Sequence, residues 1–233
     1  SSKVEIIYVG SGSMSRVEMA LLNALSALPR RNEVIPAVTD VVLTPKKPGN
    51  EVTDRMDVNQ GKLTIGYRLG KSMLSPNYAA LMVFNAVFGG AVTSKLFMNV
   101  REKLSLCYYA SSIIEKHKGI MIVYSGVDSS NFSKALDEIT RQLNAVKAGE
   151  ITPWELDSAK KSVVTSLKSR LDSAPGLEDI YFGNSVAGIG ISPEELAVLA
   201  EAVTAEEVSA IASQTELDTI HYLTGNGDDS NEA

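Results

Sequence analysis

Residues 106–127 read Leu-Cys-Tyr-Tyr-Ala-Ser-Ser-Ile-Ile-Glu-Lys-His-Lys-Gly-Ile-Met-Ile-Val-Tyr-Ser-Gly-Val. Two runs rich in β-branched and aromatic residues, 106–116 and 119–127, flank His117-Lys118-Gly119, so the stretch predicts two strands joined by a tight turn. Upstream, 61–70 alternates, with Leu63, Ile65, Tyr67 and Leu69 on one side. In 51–58, Val52, Asp54, Met56 and Val58 share a side, and only Asn59-Gln60 separates the two runs. Between 70 and 106 the period changes to that of a helix. An apolar helix over 76–88 ends at Gly89-Gly90, and a second helix over 93–104 turns Leu96, Phe97 and Val100 inward.

Further outward, 4–9 is β-branched and aromatic and predicts a strand, followed by a turn at Ser11-Gly12-Ser13-Met14. Ser15 and Glu18 have capping-box spacing, and Val17, Leu21, Leu25 and Leu28 recur at helical intervals up to Pro29. Pro36, Pro45 and Pro48 punctuate 30–50, which reads as an extended surface connection. Downstream of the hairpin, Phe132, Leu136, Ile139 and Leu143 mark an amphipathic helix that stops near Gly149. Thr152-Pro153-Trp154-Glu155, Ser192-Pro193-Glu194-Glu195 and Thr204-Ala205-Glu206-Glu207 are three helix starts of one type, with a cap and a glutamate three residues later. A last strand is predicted over 217–224. Strands in adjacent pairs with helix pairs between them imply an α+β fold, a largely antiparallel β-sheet backed by helices. The expected organisation is one such domain over 1–224 and a disordered acidic tail over 225–233.

The chain has 233 residues, 44% hydrophobic and 21% charged, which is globular composition with enough length for a sizeable core. A net charge of −6 argues against nucleic acid or an anionic membrane as partner, because those need a basic face. The longest apolar stretch, 79–92, is interrupted by Asn85 and falls short of the roughly 20 residues that span a bilayer. With one cysteine, Cys107, an internal disulfide is impossible; a reducing, cytoplasmic location is expected, while the opening Ser1-Ser2 run straight into a strand suggests a piece of a longer chain.

Few residues offer chemistry by themselves. The only histidines, His117 in a turn and His221 in a strand, lack a partner at ligand spacing, so no zinc pair forms and no metal site is expected in this chain. Cys107, flanked by Leu106 and Tyr108 in a predicted strand, reads as a small buried thiol. Gly89-Gly90 lacks the lysine and further glycine of a phosphate loop and reads as a helix terminator. Trp154 fits an aromatic packed under a loop. Arg101 near a helix end and Tyr108 at a strand start also satisfy ordinary propensities.

The segment 88–112 changes the weight of these residues. Its order, Phe88-Gly89-Gly90, then Ser94-Lys95-Leu96-Phe97, then Arg101-Glu102-Lys103 and Tyr108, resembles the zinc-free half of the insulinase/pitrilysin family of metallopeptidases, which includes the mitochondrial processing peptidase. In that family an arginine and a tyrosine stand seven positions apart, as Arg101 and Tyr108 do here. Flanking runs, Gln60 through Arg68, Thr152 through Leu156 and Val203 through Val208, are similar as well, so the resemblance covers about residues 3–224. It implies a clamshell of homologous halves, in one chain or as a dimer of subunits, enclosing a peptide substrate. Zinc is expected in the partner half, on an inverted His-x-x-Glu-His motif that this chain lacks. By the same resemblance, Arg101 and Tyr108 are the expected catalytic residues, donating in trans to the oxyanion that develops on the substrate carbonyl. Gly89 and Gly90 are the expected substrate-binding loop. The rival expectation, from the missing zinc motif, is an inactive peptidase-like module kept for assembly or for holding peptides.

Overall fold

A computed structural model of the chain describes residues 4–29, 41–72 and 74–226. Five strands form one sheet: β1 (Asn50–Met56), β2 (Gly61–Arg68), β3 (Tyr109–Glu115), β4 (Ile120–Val127) and β5 (Glu216–Gly225), in the order β1-β5-β2-β4-β3. Pairings β5/β2, β2/β4 and β4/β3 are antiparallel and β1/β5 is parallel, so the largely antiparallel sheet expected from sequence carries one parallel edge. The 106–127 hairpin is present, with β3 beginning at Tyr109. The adjacent strands β1 and β2 do not pair, because β5 lies between them. Composition explains the order: Ile220 and Tyr222 of β5 are buried, while Glu51, Thr53, Asp54 and Arg55 of β1 are exposed and suit an edge.

Alternation along β2 buries Leu63, Ile65 and Tyr67, and Met121 and Val123 of β4 face the same way. Onto that face pack α2 (Tyr78–Asn85), α3 (Phe132–Lys147), α4 (Pro153–Leu171), α6 (Pro193–Ala202) and α7 (Ala205–Ser213). Phe84 and Phe88, both fully buried, stack with ring centroids 6.0 Å apart at the centre of this layer. The three helix starts read from sequence are capping boxes on α4, α6 and α7, each with the Ser or Thr hydroxyl accepting from the N3 backbone.

Several expectations are corrected. The run 4–9 is not a strand; it is an extended segment leading to α1 (Met14–Ser26). The residue capping α1 is Ser13, whose hydroxyl lies 3.1 Å from that of Ser15, so Ser15 and Glu18 make no capping box. α5 (Ala174–Ala187) has no counterpart in the sequence reading, because Pro175, Gly176 and Gly183 dilute its pattern; its start at Ser173 and left-handed end at Gly188 were the available signals. Trp154 is 56% exposed instead of packed under a loop. Of the connection over 30–50, residues 30–40 lie outside the described residues, as do 227–233 of the acidic tail, whose first residue, Gly225, closes β5. No helix among the described residues is long and apolar enough to cross a membrane.

Candidate functional site

The segment between α2 and β3 is wound in an unusual way. After Asn85 the helix widens into a π-turn over Ala86–Gly90, and the next helix, Leu96–Lys103, is π-wound throughout. Such i→i+5 stretches are rare and recur at functional sites. Leu96 and Val100 anchor the second helix in the core, and the Ser94 hydroxyl accepts from the Phe97 backbone at its start.

Two polar contacts fix this helix against its neighbours. Lys95, 7% exposed, donates to Glu155 at 2.8 Å, and the same carboxylate accepts the Thr152 backbone N–H at 2.8 Å in the capping box of α4. Burial alone would push the Glu155 carboxyl up; the Lys95 ammonium and Thr152 together hold it below the usual carboxylate value. Asn99 donates to Gln142, which donates to Glu138, and Glu138 receives both a 2.8 Å and a 2.6 Å bond from Arg141. The Arg141 guanidinium keeps the Glu138 carboxyl below its ordinary value.

At the end of the π-wound helix, Ser105 takes a left-handed conformation with φ of 50°. The carbonyls of Arg101 and Val100 then accept the N–H groups of Ser105 and Leu106, at 3.1 Å each, closing the terminus. The chain enters β3 as the Tyr108 N–H donates to the Gly126 carbonyl at 2.9 Å. Arg101 and Tyr108 therefore stand at the two ends of one tight connection. The Arg101 guanidinium carbon lies 4.7 Å over the Phe97 ring, with one nitrogen 3.4 Å from Glu102, and its side chain is 40% exposed. Tyr108 is 60% exposed, and its hydroxyl donates over 3.4 Å to the Asp128 carboxylate. A guanidinium and a phenol, both reaching solvent, are donors suited to developing negative charge on a carbonyl oxygen.

Cys107 lies in this connection and not in a strand, half-buried. Burial pushes its thiol up and Arg101 pulls it back only in part, so it is not poised as a nucleophile. His117 is in the turn between β3 and β4, and His221, on β5, pairs with Asp54 of β1 at 2.9 Å.

The two glycines are differently placed. Gly89 is buried, its carbonyl accepts the Ser111 hydroxyl at 3.0 Å, and a Cβ there would meet the Ser112 backbone nitrogen and Leu96 at 2.8 Å. Gly90 is exposed, with Asn85 as its nearest neighbour. Gly89 thus has a packing duty between the π-turn and β3, and Gly90 alone reaches the surface. Because a strand backbone cannot recede, Gly89→Ala is expected to cost about 1–3 kcal/mol of stability by overpacking, read as a lower denaturation midpoint at unchanged slope. Phe97, expected to face inward, is only half-buried and lies under Arg101, and Asp128, the contact of Tyr108, was not singled out from sequence. The Phe97–Arg101 contact had a signal in their i, i+4 spacing; Asp128 had none, since the β3/β4 register brings it near Tyr108.

Among the described residues no group of three or more His, Cys, Asp or Glu side chains could hold a metal ion. The family model described as "Peptidase M16 inactive domain" matches residues 1–163. The "Probable inactive metalloprotease YmfF" of Bacillus subtilis is 39% identical over 175 residues, covering 75% of this chain and 41% of that protein. A conserved protein of Enterococcus faecalis superposes with a TM-score of 0.82 at 31% identity, over 92% of this chain and 50% of its own. A peptidase M16 inactive domain from Pseudomonas fluorescens gives a TM-score of 0.72 at 18% identity, over 92% and 52%. The chain thus spans half or less of the length of the B. subtilis and E. faecalis relatives.

Proposed function

The chain belongs to the peptidase M16 inactive-domain family, and from that premise we propose that it is the zinc-free half of an insulinase-like metalloendopeptidase. In this reading it binds the peptide substrate opposite a homologous zinc-bearing half, with Arg101 and Tyr108 donating to the scissile carbonyl oxygen. The observation that carries it is the placement of both donors, solvent-facing, at the two ends of the tight connection that follows the π-wound helix, whose start the Lys95–Glu155 pair ties to α4. Zinc, supplied by the partner, would activate the attacking water; this chain's residues orient the carbonyl and take up its developing charge. Gly90, at the exposed end of the π-turn, is the part of the glycine pair that can touch substrate. The lone half-buried thiol fits a cytoplasmic setting.

The test is cleavage of a fluorogenic peptide library by each half alone and by the two together, with and without a zinc chelator. Activity that needs both halves and disappears on chelation is expected. No cleavage by the pair, with peptide still bound, would favour the second reading, an inactive module for assembly, to which the name of the B. subtilis relative lends weight.

A further inference from the structure

A cavity of about 310 Å³ lies between α2, α4, α5, α6 and the far end of β3. It is separate from the Arg101–Tyr108 connection, since Tyr108 and Glu115 stand at opposite ends of β3, roughly 23 Å apart along an extended strand. Its walls are aliphatic: Met82 of α2, Ile114 of β3, Leu167 of α4, Ile180 of α5, Ile191, and Leu196 of α6. The Asn184 amide donates to the Ile191 carbonyl at 2.7 Å and fastens the loop after α5 to that helix as one wall. The volume is at the small end of the range for ligand sites, so the occupant is a small group.

Charge gathers on one side. Asp179 of α5 accepts from Arg170 of α4 at 2.7 Å and from Lys116, just past β3, at 3.4 Å, so two cations share one carboxylate. Glu115, the other carboxylate of the lining, accepts the His117 backbone N–H at 3.1 Å and pairs with neither cation. Gly183 lets Lys116 lie across α5, because a Cβ there would come within 3.0 Å of the ammonium nitrogen. Tyr78 of α2 lines the same cavity. Burial pushes its phenol up to about 12, so it stays protonated, and its hydroxyl has no acceptor among the described residues. Arg170 engages one guanidinium nitrogen on Asp179 and leaves its other N–H groups open. The unspent hydrogen-bonding capacity of the cavity is therefore donor capacity, on two cations and a phenol beside aliphatic surface.

We propose that this cavity binds the carboxylate end of an aliphatic chain, with the carboxylate on Arg170, Lys116 and Tyr78 and the hydrocarbon against Ile114, Leu167 and Leu196. A free branched acid and the carboxy-terminal residue of a peptide share that chemistry. An amine supplies no acceptor and an amide no charge, so neither matches the donors. The site uses no residue of the proposed peptidase machinery and needs no zinc-bearing partner, so its fate is independent of that reading.

The test is a methyl NMR titration of the chain with isocaproate, with isocaproamide, and with acetylated Ala-Ala-Leu as the free acid and as the carboxy-terminal amide. Saturable shifts of the Ile114, Ile180 and Ile191 methyls are expected with the acids, at a Kd of about 1 mM for a ligand of this size. Arg170→Gln should weaken binding by about tenfold to a hundredfold, the loss of a charge-assisted hydrogen bond. Tyr78→Phe should weaken it less, and because it keeps the ring it serves where loss of the Asp179 pair disturbs α5. Shifts with both acids support a site that takes the carboxylate wherever it is attached. Shifts with the peptide acid alone assign it to polypeptide ends, and with isocaproate alone to small acids. Amides that bind as tightly as the acids, binding indifferent to both substitutions, or no shift at about ten times the expected Kd overturns the proposal.

Discussion

Arg101→Ala is expected to lower kcat of the two-part assembly by about a hundred to a thousandfold, the loss of about 2.7–4 kcal/mol that removal of one oxyanion donor brings. The guanidinium lies over Phe97 and is only loosely tied, at 3.4 Å, to Glu102, so it is free to turn toward a substrate. In the proposed role the guanidinium acts in the transition state, so KM should change little while kcat carries the loss. Arg101→Lys keeps the charge but not the forked donors and should recover only part of the rate. Tyr108→Phe removes the hydroxyl that now rests on Asp128 and is expected to follow the same pattern more weakly. Fluorogenic peptide kinetics on the assembled pair read all three. Rates indifferent to Arg101 would leave the assembly-module reading in place.

Lys95→Met is expected to be the most destabilising single change near the site. It leaves the Glu155 carboxylate, 14% exposed, without its cation. Breaking a buried pair costs about 3–5 kcal/mol, and because Thr152 still bonds to Glu155 the lower end applies, about 3 kcal/mol. For a chain of this length that is a fall in Tm of about 6–12 °C by calorimetry. The pH dependence has a definite sign. The folded Glu155 carboxyl is held below its unfolded value, so the pair's contribution is fully present above that unfolded value and is lost as pH falls through the folded one. The gap between wild type and Lys95→Met should therefore narrow on acidification. Lys95→Met combined with Glu155→Gln, which keeps the cap and discards the orphaned charge, should regain most of the loss. A wide gap persisting in acid would show that packing of the Lys95 stem matters more than the pair.

Local signals were readable from the amino acids where one short segment contains the whole physical cause. Thr152, Ser192 and Thr204 each carry their helix start within four residues, and all three starts appear where the spacing puts them. The alternation of Leu63, Ile65 and Tyr67 likewise survives folding unchanged. Non-local facts were not readable. β1 and β2 are neighbours in sequence, yet β1 pairs with a strand from the far end of the chain, and β-propensity at 4–9 could not reveal that the run pairs with no strand among the described residues. At the candidate site, the spacing of Arg101 and Tyr108 was visible through the family resemblance. What was hidden is the winding between them: the π-helix, the left-handed Ser105 and the Asp128 contact all depend on how β4 lies beside the connection.

The position of β5 bears on the order of events during synthesis. Asn50 of β1 lies opposite Thr219, and Ile65 of β2 opposite Ile220, so an interior strand of the sheet is supplied by nearly the last described segment to leave the ribosome. Until then β1 has no neighbour and β2 has an open flank, while β2, β3 and β4 can already associate. Contacts of such long sequence separation form slowly, because the entropy of closing the intervening chain must be met first. While residues 128–215 are being made, the nascent protein therefore holds a three-stranded intermediate with an exposed edge, a state in which chaperone engagement and aggregation compete with completion.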